Sequence, residues 1–155
     1  MISPRILLVD DDVEMVSLAQ AELAREGFEV ISAALGARGL ELLREQPLDV
    51  VVTDLRMQDV DGMEILRTAA DLQPEAKVIM ITAFGSIASA ISAIRAGAFD
   101  YLSKPFEMEE LTLTVHKALE DARLRRENIR LRGEVERRYQ FGSLIGGKPG
   151  HAGGL

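Results

Sequence analysis

The chain has 155 residues, enough for one domain with a sizeable core and an appendage. Hydrophobic residues make up 47% and charged residues 28%, a soluble globular balance, and no apolar run approaches the ~20 residues of a membrane span. Cysteine is absent, which excludes disulfides and thiolate metal sites and, with no signal-peptide layout at the start, makes a cytoplasmic setting the expectation.

The net charge of −7 is unevenly spread. Residues 1–116 carry 20 acidic and 9 basic side chains, a balance of −11, whereas residues 117–138 carry 5 and 8, a balance of +3. An acidic globule is therefore joined to a mildly basic segment. Its charges are interspersed, the pattern of a solvated helix face, so neither direct DNA contact nor membrane binding is expected.

In chain order, Ile6-Leu7-Leu8-Val9 reads as a short buried strand running into Asp10-Asp11-Asp12. A helix follows from Asp12 to Arg25, with Asp12 read as its N-cap and Gly27 as its C-cap. Phe28 to Ile31 is a strand, and Leu35 to Glu45 a helix stopped by Pro47. Val50-Val51-Val52-Thr53-Asp54 is the strand on which the rest is organised, because a continuous Val-rich run implies a parallel strand covered on both faces. A loop from Leu55 to Asp61 reaches Gly62, and Met63 to Leu72 is the third helix. Val78 to Ile81 ends at Thr82, Ile87 to Ala96 is a small helix closed by Gly97, and Phe99 to Leu102 is a last strand before Ser103-Lys104-Pro105-Phe106. Five strands alternating with helices predict an α/β fold, a parallel sheet with helices on both sides.

From Met108 the pattern turns helical, and no proline interrupts Glu109 to Tyr139, roughly 45 Å if continuous. Leu111, Val115, Ala118 and Ala122 are placed to lie against the domain. Leu124, Asn128, Leu131 and Val135 then fall at d, a, d, a of a heptad, with Asn at an a position, which fixes register in two-stranded coils. A solvated helical linker is the other reading of these two heptads. The Gly-rich end is expected to lack fixed structure.

Side chains at the C-terminal ends of parallel strands converge on one rim, where open α/β sheets bind ligands. Here that rim receives Asp10 and Asp11, Asp54, Thr82 and Lys104. Carboxylates from neighbouring strands repel unless a cation or proton is shared. Magnesium prefers hard oxygen ligands, which Asp11, Asp54 and the backbone carbonyl of Arg56 can supply. A carboxylate can attack phosphorus to form an aspartyl phosphate, with a hydroxyl and an ammonium holding the remaining phosphoryl oxygens. The chemistry indicated is magnesium-assisted phosphoryl transfer onto Asp54.

The set V-D-D, D-x-x-M with Gly62 downstream, I-T-A and K-P-F resembles the receiver domain of two-component response regulators over residues 4 to about 120. The resemblance implies a flavodoxin-like doubly wound sheet of order 2-1-3-4-5. It implies that Asp54 accepts phosphate from a sensor histidine kinase, that Asp10 and Asp11 organise Mg2+, that Lys104 contacts the phosphoryl group and that Lys104–Pro105 is cis. Thr82 and Tyr101 resemble the family's switch pair. A phosphoacceptor that promotes its own phosphorylation and dephosphorylation, not a turnover enzyme, is implied. Gln58 departs from the family, which usually has proline after the methionine. Arg56 and Phe84 occupy positions that tune water access to the acyl phosphate, so slow self-dephosphorylation is expected.

The segment Tyr139-Gln140-Phe141-Gly142-Ser143-Leu144-Ile145-Gly146 looks like the linker entering the AAA+ domain of sigma-fifty-four-dependent activators, with Gly147-Lys148-Pro149 departing from it. The expected organisation is a receiver domain over 1–120, a helical linker over 121–140, and over 141–155 the start of a linker to an ATPase that this sequence does not contain. Homodimerisation is expected through the C-terminal helix, through the face of the fourth helix, fifth strand and fifth helix, or both. Two other classes bear on the same residues. A magnesium-dependent phosphatase or phosphotransferase of the haloacid-dehalogenase type also uses a strand-end Asp but wants a second Asp where Arg56 stands. A flavodoxin-like or Rossmann nucleotide binder wants a glycine-rich loop after the first strand, and none follows Val9.

Overall fold

The computed structural model describes residues 3–83 and 86–146, with side chains described as far as Arg132. Strands and helices alternate: β1 (Arg5–Val9), α1 (Val13–Arg25), β2 (Glu29–Ala33), α2 (Gly36–Glu45), β3 (Val50–Asp54), α3 (Gly62–Leu72), β4 (Lys77–Thr82), α4 (Ile87–Arg95), β5 (Asp100–Ser103) and α5 (Met108–Gly146). The five strands form one parallel sheet in the order β2-β1-β3-β4-β5, the doubly wound topology expected.

The period of two along each strand sorts the core into two layers. Leu7, Val9, Val51, Val78 and Met80 face a cluster with Leu40, Leu43, Ile65 and Leu66 from α2 and α3. Ile6, Leu8, Val50, Val52, Ile79 and Ile81 face the other side, against Ala19 and Leu23 of α1 and Leu111, Val115 and Ala118 of α5. β3 is buried along its whole length, as a central strand covered on both faces must be. Each aliphatic side chain buried there contributes about 1.5–3 kcal/mol.

Local chemistry sets the helix ends. Asp12 caps α1, its Oδ1 accepting from the Met15 N–H at 3.1 Å, as the sequence indicates. Gly27 stands just past the C-cap Glu26 at φ +94°, a left-handed conformation that only glycine adopts without penalty. Strand ends differ from the expectation by one or two residues: β1 and β4 each start one residue earlier, at Arg5 and Lys77, and β2 and β5 are shifted toward the C-terminus. β2 starts at Glu29 and runs to Ala33 because its pairing with β1 is complete from Arg5↔Glu29 to Val9↔Ala33. β5 starts at Asp100, while Phe99 only donates its N–H to Val78 O at 2.7 Å.

The chain divides into two compact units between Glu120 and Asp121. In the second unit α5 continues as helix to Gly146. Leu124 and Leu131 are about half exposed, and Asn128 is exposed. The i,i+4 pairs Arg125–Asp121 at 3.2 Å and Arg123–Glu127 at 3.1 Å give this stretch the weak electrostatic support of a solvated helix. The fourth heptad position, Val135, has its side chain outside the described residues, as Lys148 and the Gly-rich end are entirely. Among the described residues, no helix is long and apolar enough to cross a membrane.

Candidate functional site

Register brings the rim together. β1 pairs with β3 through Val9↔Thr53, so the next residues, Asp10 and Asp54, leave the sheet side by side. On the other flank of β3, Asp54 pairs with Ile81, and Thr82 pairs with Ser103, which puts Lys104 just past the same edge. The Lys104 ammonium sits between the two acids, 3.1 Å from Asp10 Oδ2 and 3.3 Å from Asp54 Oδ2. Asp10 and Asp54 are buried and Asp11 is exposed, yet one carboxylate oxygen from each lies within 4.8 Å of the others.

The electrostatics of the cluster are under tension. Burial is the main reason the Asp10 carboxyl is pushed above its ordinary range. The Asp12 N–H, bonded to Asp10 Oδ1 at 2.9 Å, opposes that shift, the neighbouring Asp54 charge adds to it, and Lys104 counters it. Lys104 experiences the reverse balance. Burial acts to lower it, but its hydrogen bond and charge interaction with Asp10, together with the Asp54 charge, hold it above the usual lysine value.

The donor set fits a hard divalent cation. One ammonium, paired with two of the carboxylates, accompanies three, leaving a formal excess of two negative charges when all are ionised. Asp10 Oδ2 is buried with no well-formed hydrogen bond, despite the ammonium at 3.1 Å. An acidic oxygen held by an ion-paired ammonium alone, beside two more hard oxygens, suits magnesium, which keeps several waters and takes one or two carboxylates.

The loop after β3 supports Asp54 from below. The Arg56 N–H donates to Asp54 Oδ1 at 3.1 Å, so each Asp54 oxygen has its own partner. The Gly62 N–H donates to Leu55 O at 2.8 Å, and a Cβ on Gly62 would lie 2.3 Å from Asp54 O, so only glycine fits there. Thr82 is buried, its hydroxyl 3.5 Å from Leu102 O, at the long limit of a hydrogen bond. Tyr101 on β5 is 42% exposed. The Lys104–Pro105 peptide is cis. The Arg56 side chain is exposed, and Phe84 lies outside the described residues.

Two contacts were not legible in the sequence. Lys104, expected at the phosphoryl group, here pairs with Asp10 as well as Asp54. Asp59, in the loop after β3, accepts hydrogen bonds from the Gly36 and Ala37 N–H groups at the start of α2. The signal for the second lay in Leu35, which precedes α2 but has no side-chain oxygen with which to cap it.

Comparison with known proteins places this arrangement. The chain is 39% identical over 117 residues to the transcriptional regulatory protein GlrR of Escherichia coli, covering 76% of this chain and 26% of that protein. It is 34% identical over 145 residues to the regulatory protein AtoC of Escherichia coli, covering 94% of this chain and 32% of that one. This chain thus spans only about a quarter to a third of these relatives. Among solved structures, the beryllofluoride-activated NtrC4 receiver domain dimer matches with a TM-score of 0.72 and 34% identity, over 76% of this chain and 98% of that one. The family model described as "Response regulator receiver domain" matches residues 6–116, which contain every rim residue described above. The chain belongs to the response regulator receiver domain family.

Proposed function

We propose that this chain is a phosphorylation-dependent signalling receiver in which Asp54 accepts a phosphoryl group from a histidine kinase. The observation that carries the reading is the Asp10–Lys104–Asp54 cluster, with Asp11 beside it, at the sheet edge. An Asp54 oxygen attacks phosphorus, the P–N bond to the kinase imidazole breaks, and its electron pair returns to the ring nitrogen. Lys104 is already within 3.3 Å of the acceptor and meets the negative charge that builds up on the phosphoryl oxygens. The Thr82 hydroxyl takes a further phosphoryl oxygen. Asp10, Asp11, Asp54 and the Arg56 carbonyl would hold Mg2+, which neutralises charge between the carboxylates and the incoming group. The reaction modifies the protein once per event, which is regulation and not turnover.

The output is proposed to be a change in self-association. Thr82 moving toward the phosphoryl group vacates space that the ring of Tyr101 can fill, turning it in from the exposed position it holds here. That alters a face where Ile87, Ile91 and Ile94 of α4 are 70%, 48% and 41% exposed next to β5. The second contact surface is the α5 extension, through Leu124, Asn128 and Leu131. The resemblance of residues 139–146 to the linker of sigma-fifty-four-dependent activators, together with likeness to the regulatory proteins GlrR and AtoC, supports a transcription-activating ATPase as the downstream partner and a cytoplasmic setting.

Light scattering with and without magnesium and beryllofluoride tests this. A response to the mimic, lost in Asp54→Asn, is expected. No binding of the mimic would overturn the proposal, whereas catalytic release of phosphate from small esters would favour a phosphatase instead.

A further inference from the structure

The loop carrying Arg56 has to hold a backbone carbonyl still; Met57 and Val60 pack against the core, but its polar ties to other elements are few. It contains no proline between Leu55 and Asp61. Its near end is fixed by the Arg56 N–H on Asp54 Oδ1, and its far end by the Gly62 N–H on Leu55 O. Among the described residues, the hydrogen bonds joining residues 57–60 to another element are the two made by Asp59. Its Oδ1 accepts from the Gly36 N–H at 3.0 Å and its Oδ2 from the Ala37 N–H at 2.9 Å. Both donors are orphan amides of the first turn of α2, where the helix dipole adds attraction for a carboxylate.

The contact is close as well as polar. A Cβ on Gly36 would lie 2.5 Å from Val60 Cβ, so glycine lets the helix end seat directly on the loop. Leu35, the residue at the N-cap position, makes no side-chain cap bond, which leaves these amides to Asp59. The exposed Asp59 carboxyl is held below its ordinary range, chiefly by the Ala37 and Gly36 N–H groups, so it is engaged as an anion.

We propose that Asp59 is a positioning residue for the phosphoacceptor site: by clamping the Asp54 loop to the start of α2 it fixes the Arg56 carbonyl for the cation and the incoming phosphoryl group. The inference rests on the function proposed above. It has a plain competitor, that Asp59 only caps α2 and adds stability. The two separate because Leu35 sits with φ −117° and ψ 143°, suitable for an N-cap, and is 57% exposed, so Leu35→Asp can give α2 its own cap without touching the loop.

The experiment compares wild type, Asp59→Ala, Asp59→Asn and the double variant Leu35→Asp/Asp59→Ala. Magnesium chloride affinity is measured by calorimetry, thermal midpoint by circular dichroism, and the rate of labelling by acetyl phosphate at saturating magnesium. Asp59→Ala is expected to weaken magnesium binding about tenfold, in line with the loss of other groups that orient metal ligands, and to slow labelling. Asp59→Asn keeps an acceptor oxygen and should recover part of both. The double variant should regain thermal stability while magnesium affinity stays weak. Unchanged magnesium affinity in Asp59→Ala, or affinity restored with stability in the double variant, would reduce Asp59 to a cap and overturn the proposal. A wild-type chain that neither binds magnesium nor is labelled would instead bring down the underlying reading, and this proposal with it.

Discussion

Asp10 illustrates how a single buried carboxyl sets a stability cost at the site. Its pKa is raised in the folded chain, first by burial and further by the Asp54 charge. A raised acid contributes stability that is present below its unfolded value, near 3.8, and lost as pH rises through the folded value. At neutral pH the ionised group is therefore a liability without metal. In the presence of a chelator, Asp10→Asn should raise stability at pH 7.5, with the advantage shrinking as pH falls and Asp10 protonates. Thermal melts across that range check it, and a variant less stable than wild type at neutral pH would contradict it. Lys104 follows the same sign at the other end of the scale, but there the favoured form is the charged one. Its raised pKa supports the fold through neutral pH, and that support fades only as pH climbs past the usual lysine value of 10.5. The same Asp10→Asn change should abolish the stabilisation that added magnesium gives wild type, because it removes a hard anionic oxygen.

Among the elements, the β3–α3 connection carries the most consequence per residue. A Cβ on Gly62 meets Asp54 O at 2.3 Å and Leu55 Cα at 2.7 Å, both backbone atoms that cannot swing aside. Gly62→Ala should cost about 2–3 kcal/mol and slow labelling of Asp54, measured by denaturant melts and acetyl phosphate kinetics. Gln73 offers the contrast. Its amide nitrogen donates to Leu43 O at 2.8 Å and Gln46 O at 2.6 Å, and its oxygen accepts from the Leu48 N–H at 2.7 Å, stapling the α2–β3 turn at the far rim. Gln73→Ala should cost about 1–3 kcal/mol yet leave the labelling rate unchanged. The strands and the rim acids were legible because each is announced locally, by an apolar run of strand length ending in a polar residue. Asp59 and Gln73 were not, since their partners lie 22–30 residues away and depend on how the helices pack. The ends of β2 and β5 were misplaced by one or two residues for a related reason. Phe28 and Phe99 have strand propensity, but the ladder partners supplied by β1 and β4 set the limits.

At the scale of the whole molecule, an acidic globule of −11 over residues 1–116 precedes a helical stretch of +3 over residues 117–138. The two proposed dimer surfaces fall on either side of the break after Glu120. Truncation after Glu120 is expected to abolish any dimer present without phosphorylation while leaving a response to beryllofluoride on the α4 face. Light scattering on both lengths reads this directly. A truncated chain that still dimerises without the mimic would place the constitutive contact on the globule instead. Asn128 gives a finer test of register, because a polar a-position residue costs stability while selecting a two-stranded pairing. Asn128→Leu should tighten association and allow larger assemblies.

The central claim, that Asp54 is the phosphoacceptor, is tested most directly by incubating the chain with acetyl phosphate and magnesium and mapping the modified peptide by mass spectrometry. The account predicts one phosphoryl group on the peptide containing Asp54, absent when magnesium is chelated and absent in Asp54→Asn. A phosphoryl group on another residue, or undiminished labelling of Asp54→Asn, would contradict it.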